Sequence, residues 1–437
     1  MVKAGYKQTA VGVIPEDWDA LPLGSSTEFK NGLNKAKIFF GHGTPIVNYM
    51  DVFKHSGLHQ RDIAGLVSVT TDEQNAYSAR KGDVFFTRTS ETVDEIGVSA
   101  VLLEDVEKAV FSGFILRGRD KAGAEGFHLG FKKYCFSSEP VRKQIRSSAS
   151  YTTRALTNGN LLAKVLVPTP RDTEEQKSIA GALSDVDGLI AGLEALIAKK
   201  RSLKTAAMQQ LLTGKTRLPG FGEGIGMKQT ELGEIPEDWA VLSVDECSTK
   251  VGSGITPKGG SNVYKTTGRP FIRSQNVGWG TARGDELALI DEATHQSFPA
   301  TEIHKDDVLL NITGASIGRC CVAEEVFVGG NVNQHVCIIR SNENLNAVFL
   351  ALQILSDLGQ RQIDSFQAGG NREGLNFKQV RSIQFPVPSD MLEQKEIAGI
   401  AQDLSFNLGF IENQLAKTKA LKQGMMQELL TGHTRLI

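Results

Sequence analysis

The chain of 437 residues is short of cysteine, of net charge and of long apolar runs, and each shortage excludes a class of protein. Five cysteines, an odd number without CxxC spacing, do not make a disulfide scaffold and suit a reducing cytoplasm. No apolar run approaches the ~20 residues of a membrane span. Behind Met1-Val2-Lys3-Ala4-Gly5-Tyr6 there is no apolar stretch, so a secretory signal is not expected. A net charge of −2 gives no global pull toward nucleic acid, and any such pull must be local. There is no glycine-rich dinucleotide fingerprint, no HExxH, no Asn/Asp-Pro-Pro-aromatic motif and no nucleophile elbow, so no catalytic site is expected. Cys320, Cys321, His335 and Cys337 could be imagined as a metal set. Adjacent cysteines are poor ligand geometry, and their β-rich apolar surroundings predict buried thiols and no metal.

What is present is repetition. Thr173–Thr213 returns as Met391–Thr431, 218 residues later and without a gap. The first copy opens Glu175-Gln176-Lys177 and the second Glu393-Gln394-Lys395. They close on Met208-Gln209-Gln210-Leu211-Leu212-Thr213-Gly214 and Met426-Gln427-Glu428-Leu429-Leu430-Thr431-Gly432. Ile179, Leu183, Val186, Ile190, Leu193 and Ile197 step by 4-3-4-3-4, the seam of a coiled coil. Ile397, Ala401, Leu404, Leu408, Ile411 and Leu415 repeat it. Leu203 with Ala207, and Leu421 with Met425, are expected to resume the seam after the basic run Lys199-Lys200-Arg201. Asp172 with Glu175, and Asp390 with Glu393, have capping-box spacing, and Gly214 and Gly432 supply the stop. The two helices, each a rod of roughly 60 Å, are expected to bury their seams against each other.

A second repeat marks the domain starts. Lys7-Gln8-Thr9 through Ile14-Pro15-Glu16-Asp17-Trp18 recurs as Lys228-Gln229-Thr230 through Ile235-Pro236-Glu237-Asp238-Trp239. The chain therefore reads as a tandem: an α/β segment over 1–170, a helix over 171–218, a linker over 219–227, a second α/β segment over 228–388, and a helix over 389–437. The two α/β segments share a skeleton and little else, as expected of one architecture with two ligands.

Recognition chemistry is concentrated in their polar loops. The loop 252–260 carries Thr256 and Lys258 in a glycine-rich setting suited to phosphate. Arg273, Gln275 and Asn276 are side chains able to make bidentate base contacts. Thr87, Arg88 and Thr89 follow a buried strand, matched by Asn311 and Thr313. Lys132, Lys133 and Arg142 form a local basic patch, and Arg154 and Arg372 occupy matched polar loops. Two apparent catalytic motifs read better as structure. Gly214-Lys215-Thr216 lacks the earlier glycine of a P-loop and follows a helix. The carboxylates of Asp172 and Glu175 lie at a helix start, where they cap it rather than hold Mg²⁺.

Taken together, the KQT…GxIPEDW start, the Gly-x-Thr-Pro loop at 254–257, the EQKxIAG helix start and the MQxLLTGxTRL helix end resemble the specificity subunits of type I restriction-modification systems. The resemblance covers essentially the whole chain. It implies two α/β target recognition domains, each reading half of an asymmetric DNA sequence, joined by two conserved helices packed as an antiparallel coiled coil in a pseudo-twofold tandem. It implies double-stranded DNA and two modification subunits as partners, with translocating restriction subunits joining for cleavage. S-adenosylmethionine would then sit on the partner, with no cofactor on this chain, and the location would be cytoplasmic without membrane attachment. A stand-alone tandem-repeat scaffold or regulator, without methyltransferase partners, remains the alternative.

Overall fold

The two apolar seams fold as helices with matched bounds, Thr173–Leu211 and Met391–Leu429, in a computed structural model. It describes residues 4–436 apart from 125, 152, 258, 260–262 and 368–373. At the helix starts the Asp172 carboxylate accepts the Glu174 N–H at 2.9 Å, and Asp390 accepts that of Leu392 at 2.8 Å. At the ends Gly214 and Gly432 turn out of the helix at φ +69° and +74°. A Cβ on Gly214 would also lie 2.5 Å from the Pro236 ring, and one on Gly432 2.5 Å from that of Pro15. Glycine is required there twice over, for conformation and for space.

The chain divides into two compact units, one of residues 1–194 and 413–437, the other of residues 195–412. Each unit thus takes one half of each long helix, where the sequence treats the helices as segments of their own. The halves run antiparallel in both units. In the first, Asp187 meets Lys422 at 2.6 Å and Glu194 meets Lys419 at 2.7 Å. In the second, Arg201 meets Glu412 at 2.5 Å and the Lys204 Nζ donates to the Ser405 hydroxyl at 2.7 Å.

Among the seam residues, Ile179, Leu183, Leu193, Ile197, Ile397, Ala401 and Leu408 are buried, while Val186, Ile190, Leu404, Ile411 and Leu415 are half-buried. One expectation is corrected. Leu203 and Leu421 do not resume the seam, being 52% and 58% exposed. The heptad register continues instead through Lys204 and Lys422, seven residues beyond Ile197 and Leu415. Each lysine is half-buried and carries its charge to a polar group on the partner helix.

The first unit holds a five-stranded sheet in the order Thr27–Asn31, Ile115–Asp120, Val84–Thr87, Ser99–Leu102, Gly57–Leu58. A three-stranded sheet, Val110–Phe111, Phe40–Val47, Leu66–Val67, lies in the same unit. The second unit has the four-stranded counterpart Ser248–Ser253, Val336–Ser341, Val308–Asn311, Cys320–Val322, and the three-stranded Ala288–Ile290, Arg269–Ile272, Asn331–Val332. A buried aspartate paired with a half-buried arginine ties the main sheet in both, Asp83 with Arg119 at 2.6 Å and Asp307 with Arg340 at 2.7 Å.

The three repeated motifs meet in one cluster per unit. In the first, the Trp18 indole N–H donates to Glu175 at 3.1 Å. The Arg435 guanidinium forks onto Glu175 at 2.5 and 2.9 Å, and onto Asp17 at 3.0 and 2.7 Å. In the second, Trp239 donates to Glu393 at 3.3 Å, and Arg217 bridges Glu393 and Asp238 through four hydrogen bonds of 2.5–2.9 Å. Glu175 and Glu393 are therefore not capping-box partners. Their carboxylates are buried and committed to arginine and indole, and Asp172 and Asp390 cap the helices alone.

The arginine forks hold the Asp17 and Asp238 carboxyls below the usual carboxylate range. Each therefore contributes stability that is complete above its unfolded value, ~3.9, and is lost as pH falls through the lowered folded value. We expect Asp238→Asn to flatten the acid limb of an unfolding curve recorded below about pH 4. An unaltered slope would show that this pair does not respond to acid.

Candidate nucleic-acid interface

Both units end a buried central strand on a polar side chain that pins a neighbouring loop. Thr87 accepts the Val98 N–H and donates to the Glu95 carbonyl, both at 3.0 Å. Asn311 donates to the Ser274 carbonyl at 2.9 Å. Both side chains are wholly buried. Neither can reach a ligand, so both leave the group of contact candidates.

The backbone beyond them is bonded alike in the two units. The Arg88 N–H donates to Phe114 O at 3.2 Å, and its own carbonyl accepts the Thr157 N–H at 3.1 Å. The Ile312 N–H donates to His335 O at 3.0 Å, and its carbonyl accepts the Leu375 N–H at 2.8 Å. One frame thus gathers three distant loops into a junction in each unit.

The side chains on that frame differ. In the first unit it gathers Arg88, Thr89 and the exposed Arg154 with two exposed aromatics, Phe114 and Tyr151. In the second it carries a connected polar chain. Thr256 is hydrogen-bonded to Gln334. The Gln334 amide donates to His335 Nε2 at 3.1 Å, and His335 Nδ1 meets the Thr313 hydroxyl at 2.5 Å. The chain thus sets a hydroxyl, an amide, an imidazole and a second hydroxyl in one hydrogen-bonded row. Exposed aromatics with arginines suit stacking and apolar base contacts, whereas an oriented amide and hydroxyl row suits base-edge hydrogen bonding.

The other candidates divide. Gln275 is exposed. Arg273 is half-buried, with its guanidinium 5.4 Å from the Tyr264 ring centre and a hydrogen bond to Glu286 O at 3.3 Å. Asn276 is corrected: it is buried, accepting the Arg273 N–H at 3.1 Å and donating to Arg283 O at 3.0 Å, a turn pin. The basic patch is corrected too. Lys132 is buried against Asp120 at 2.6 Å, Lys133 is spent on Asp187 of the long helix at 2.7 Å, and Arg142 bonds the Asp94 carbonyl at 2.8 Å. Their charges hold helices to the unit and leave little for phosphate. Lys258 and Arg372 lie outside the described residues.

The cysteines sit where apolar runs place them. Burial pushes the thiols of Cys321 and Cys337 up to about 12 and that of Cys320 well above its usual value, so they stay protonated. His335, grouped with them by sequence, faces the polar junction instead. Gln334, His335, Phe114 and Tyr151 are the junction residues the sequence did not single out for DNA contact. A signal was present for two of them, the polar run Asn333-Gln334-His335 just before the buried strand Val336–Ser341.

The chain has relatives among known proteins. A family model described as "Type I restriction modification DNA specificity domain" matches residues 236–420. Two proteins of Methanocaldococcus jannaschii are similar over nearly their whole lengths. The type I restriction enzyme MjaX specificity subunit, a provisional assignment in that organism, is 26% identical over 99% of this chain and 97% of its own. The type I restriction enzyme MjaVIII specificity subunit is 21% identical over 97% and 94%. Among solved structures, the type I restriction-modification S subunit from M. genitalium aligns at TM-score 0.56 and 16% identity, covering 94% of this chain and 96% of its own. A chain from a structural study of assembly and conformational transition of the type I R-M system aligns at TM-score 0.59 and 17% identity, covering 96% and 99%. At that identity the likeness to both structures is one of fold.

Proposed function

Because the chain belongs to the family of type I restriction-modification DNA specificity subunits, we propose that each unit reads one half of a bipartite, asymmetric sequence in double-stranded DNA. The family is a non-catalytic one, and a type I complex joins such a subunit to methyltransferase and restriction subunits and to DNA. In the finer reading, two modification subunits dock on the paired helices, S-adenosylmethionine binds only to them, and the helices set the unspecified spacer between half-sites. The near-neutral chain then acts as a reader whose affinity is completed by its partners, in the cytoplasm with the DNA. Among the described residues no helix is long and apolar enough to cross a membrane.

The observation that carries this reading is the pair of junctions: one hydrogen-bond frame, two unlike sets of exposed and half-buried side chains. Two readers of one common sequence would have no need of such divergence. The contact residues proposed are Arg88, Thr89, Phe114, Tyr151 and Arg154 in the first unit. In the second they are Thr256, Arg273, Gln275, Thr313, Gln334 and His335.

Substitution tests it directly. With the assembled methyltransferase, Gln334→Ala or Gln275→Ala should relax discrimination in one half-site by ~1–3 kcal/mol for a bidentate contact. The other half-site should be untouched. Unchanged preference in both variants would remove these loops from the interface. Calorimetry should find saturable S-adenosylmethionine binding to the complex and none to the purified chain, and binding to the chain alone would refute the division of labour.

A further inference from the structure

The first unit carries an apolar tip, Ile38-Phe39-Phe40, that the junction does not use. Ile38 is 79% exposed, Phe39 42% and Phe40 36%. Large apolar side chains grouped in water mark a contact surface. This tip is also built rather than loose. Lys37–Phe39 form a 3-10 turn, and the Phe39 carbonyl accepts the Ser68 N–H at 2.8 Å. Phe40 and Thr44 both pair with Val67, so Gly41-His42-Gly43 bulge out between them. Gly41 and Gly43 both adopt φ +98°, and a Cβ on Gly43 would lie 2.8 Å from Val67 O. Beneath the tip, Lys35 donates to Ser68 O at 2.7 Å, pairs with Glu73 at 2.7 Å and lies 4.6 Å from the Phe39 ring centre. A tip fixed in this way has little conformational entropy left to lose on insertion.

Charge identifies the occupant. From Phe29 to Met50 the chain holds Lys30, Lys35, Lys37 and His42 and no carboxylate. Lys37 and His42 are exposed and bracket the three apolar residues. The tip also continues from the junction: the Gly113 N–H donates to Leu33 O at 2.8 Å, and the residue after Gly113 is the exposed Phe114. Apolar side chains flanked by an exposed lysine and an exposed histidine, beside a base-reading junction, match stacked bases inside a polyanion. The geometry points to a DNA wedge: Ile38 and Phe40 enter a base step of duplex DNA beside the first half-site and unstack it. Such wedges kink the duplex by roughly 20–90°. This rests on the reading that the chain binds duplex DNA.

The test uses the chain assembled with its modification subunit, on a target duplex labelled at both ends for energy transfer. A wild-type assembly that cannot tell its target from an unrelated duplex overturns the functional reading, and the wedge with it. That result is independent of the variants. With specific binding in hand, the double variant Ile38→Ala, Phe40→Ala should abolish the end-to-end shortening and weaken binding by roughly tenfold or more. Ile38→Leu should keep both. Undiminished shortening in the double variant overturns the wedge. So does failure of that variant to hold the modification subunit, which would make the tip a protein-docking surface. So does retained shortening together with a new indifference to uracil in place of one thymine, the mark of a methyl contact.

Discussion

Glu393→Ala should cost the second unit up to about 3–5 kcal/mol, because the buried Trp239 indole loses its acceptor and Arg217 keeps only the partly exposed Asp238. Glu393 is only 1% exposed and receives both Arg217 and the Trp239 indole. Glu175→Ala should do the same in the first unit, where Trp18 loses its acceptor and Arg435 keeps only the exposed Asp17. Asp238→Ala should cost far less, about 1 kcal/mol or below, because its carboxylate is 37% exposed and solvent already screens it. The order Glu393 far above Asp238 is the informative result. Chemical denaturation followed by tryptophan fluorescence reads it, since Trp18 and Trp239 lie in the clusters themselves. A loss below about 1 kcal/mol for Glu393→Ala would mean that the cluster does not stabilise its own unit. A corollary follows from Arg435 belonging to the first unit: ending the chain at Gly432 should weaken the unit built mainly from the N-terminal residues.

Lengthening the helices should lengthen the DNA spacer. One heptad inserted after Leu193 and another after Ile411 keeps the apolar register and the lysine positions Lys204 and Lys422 in phase. Each insertion adds ~10 Å of helix at ~1.5 Å per residue, which corresponds to about three base pairs at ~3.4 Å each. The half-sites should be unchanged, with a spacer grown by up to about three base pairs. Insertions of five residues, which rotate the seam away from its partner, should instead prevent assembly. A heptad mutant that methylates the same sequence with an unchanged spacer would show that the helices are not the ruler.

These helices were the most legible part of the chain, because a repeated 4-3 step and a terminal glycine are local signals. Legibility failed where a local rule had a distant competitor. Glu175 stands three residues after Asp172, which satisfies a capping pattern, yet its true partner Arg435 is 260 residues away. Leu203 looks like a seam residue by type, but register decides, and register puts Lys204 there. Lys132 and Lys133 read as a basic patch until folding supplies Asp120 and Asp187 as partners. The polar chain Thr256–Gln334–His335–Thr313 joins three loops, and no one of their polar runs shows that they meet. By contrast, the loops after the buried strands were found from sequence, because a strand that must end in a polar turn places that turn at the surface.

The central claim is that this chain alone chooses the DNA sequence, one half per unit. Single-molecule sequencing of methylated adenines, in cells carrying the chain with its modification subunit, tests this most directly. The wild-type chain should give one bipartite, asymmetric motif with a fixed gap. A chain bearing Thr256→Ala and Gln334→Ala should give the same motif relaxed in one half only. Methylation at a motif that both substitutions leave intact, or that changes in both halves together, would contradict the account.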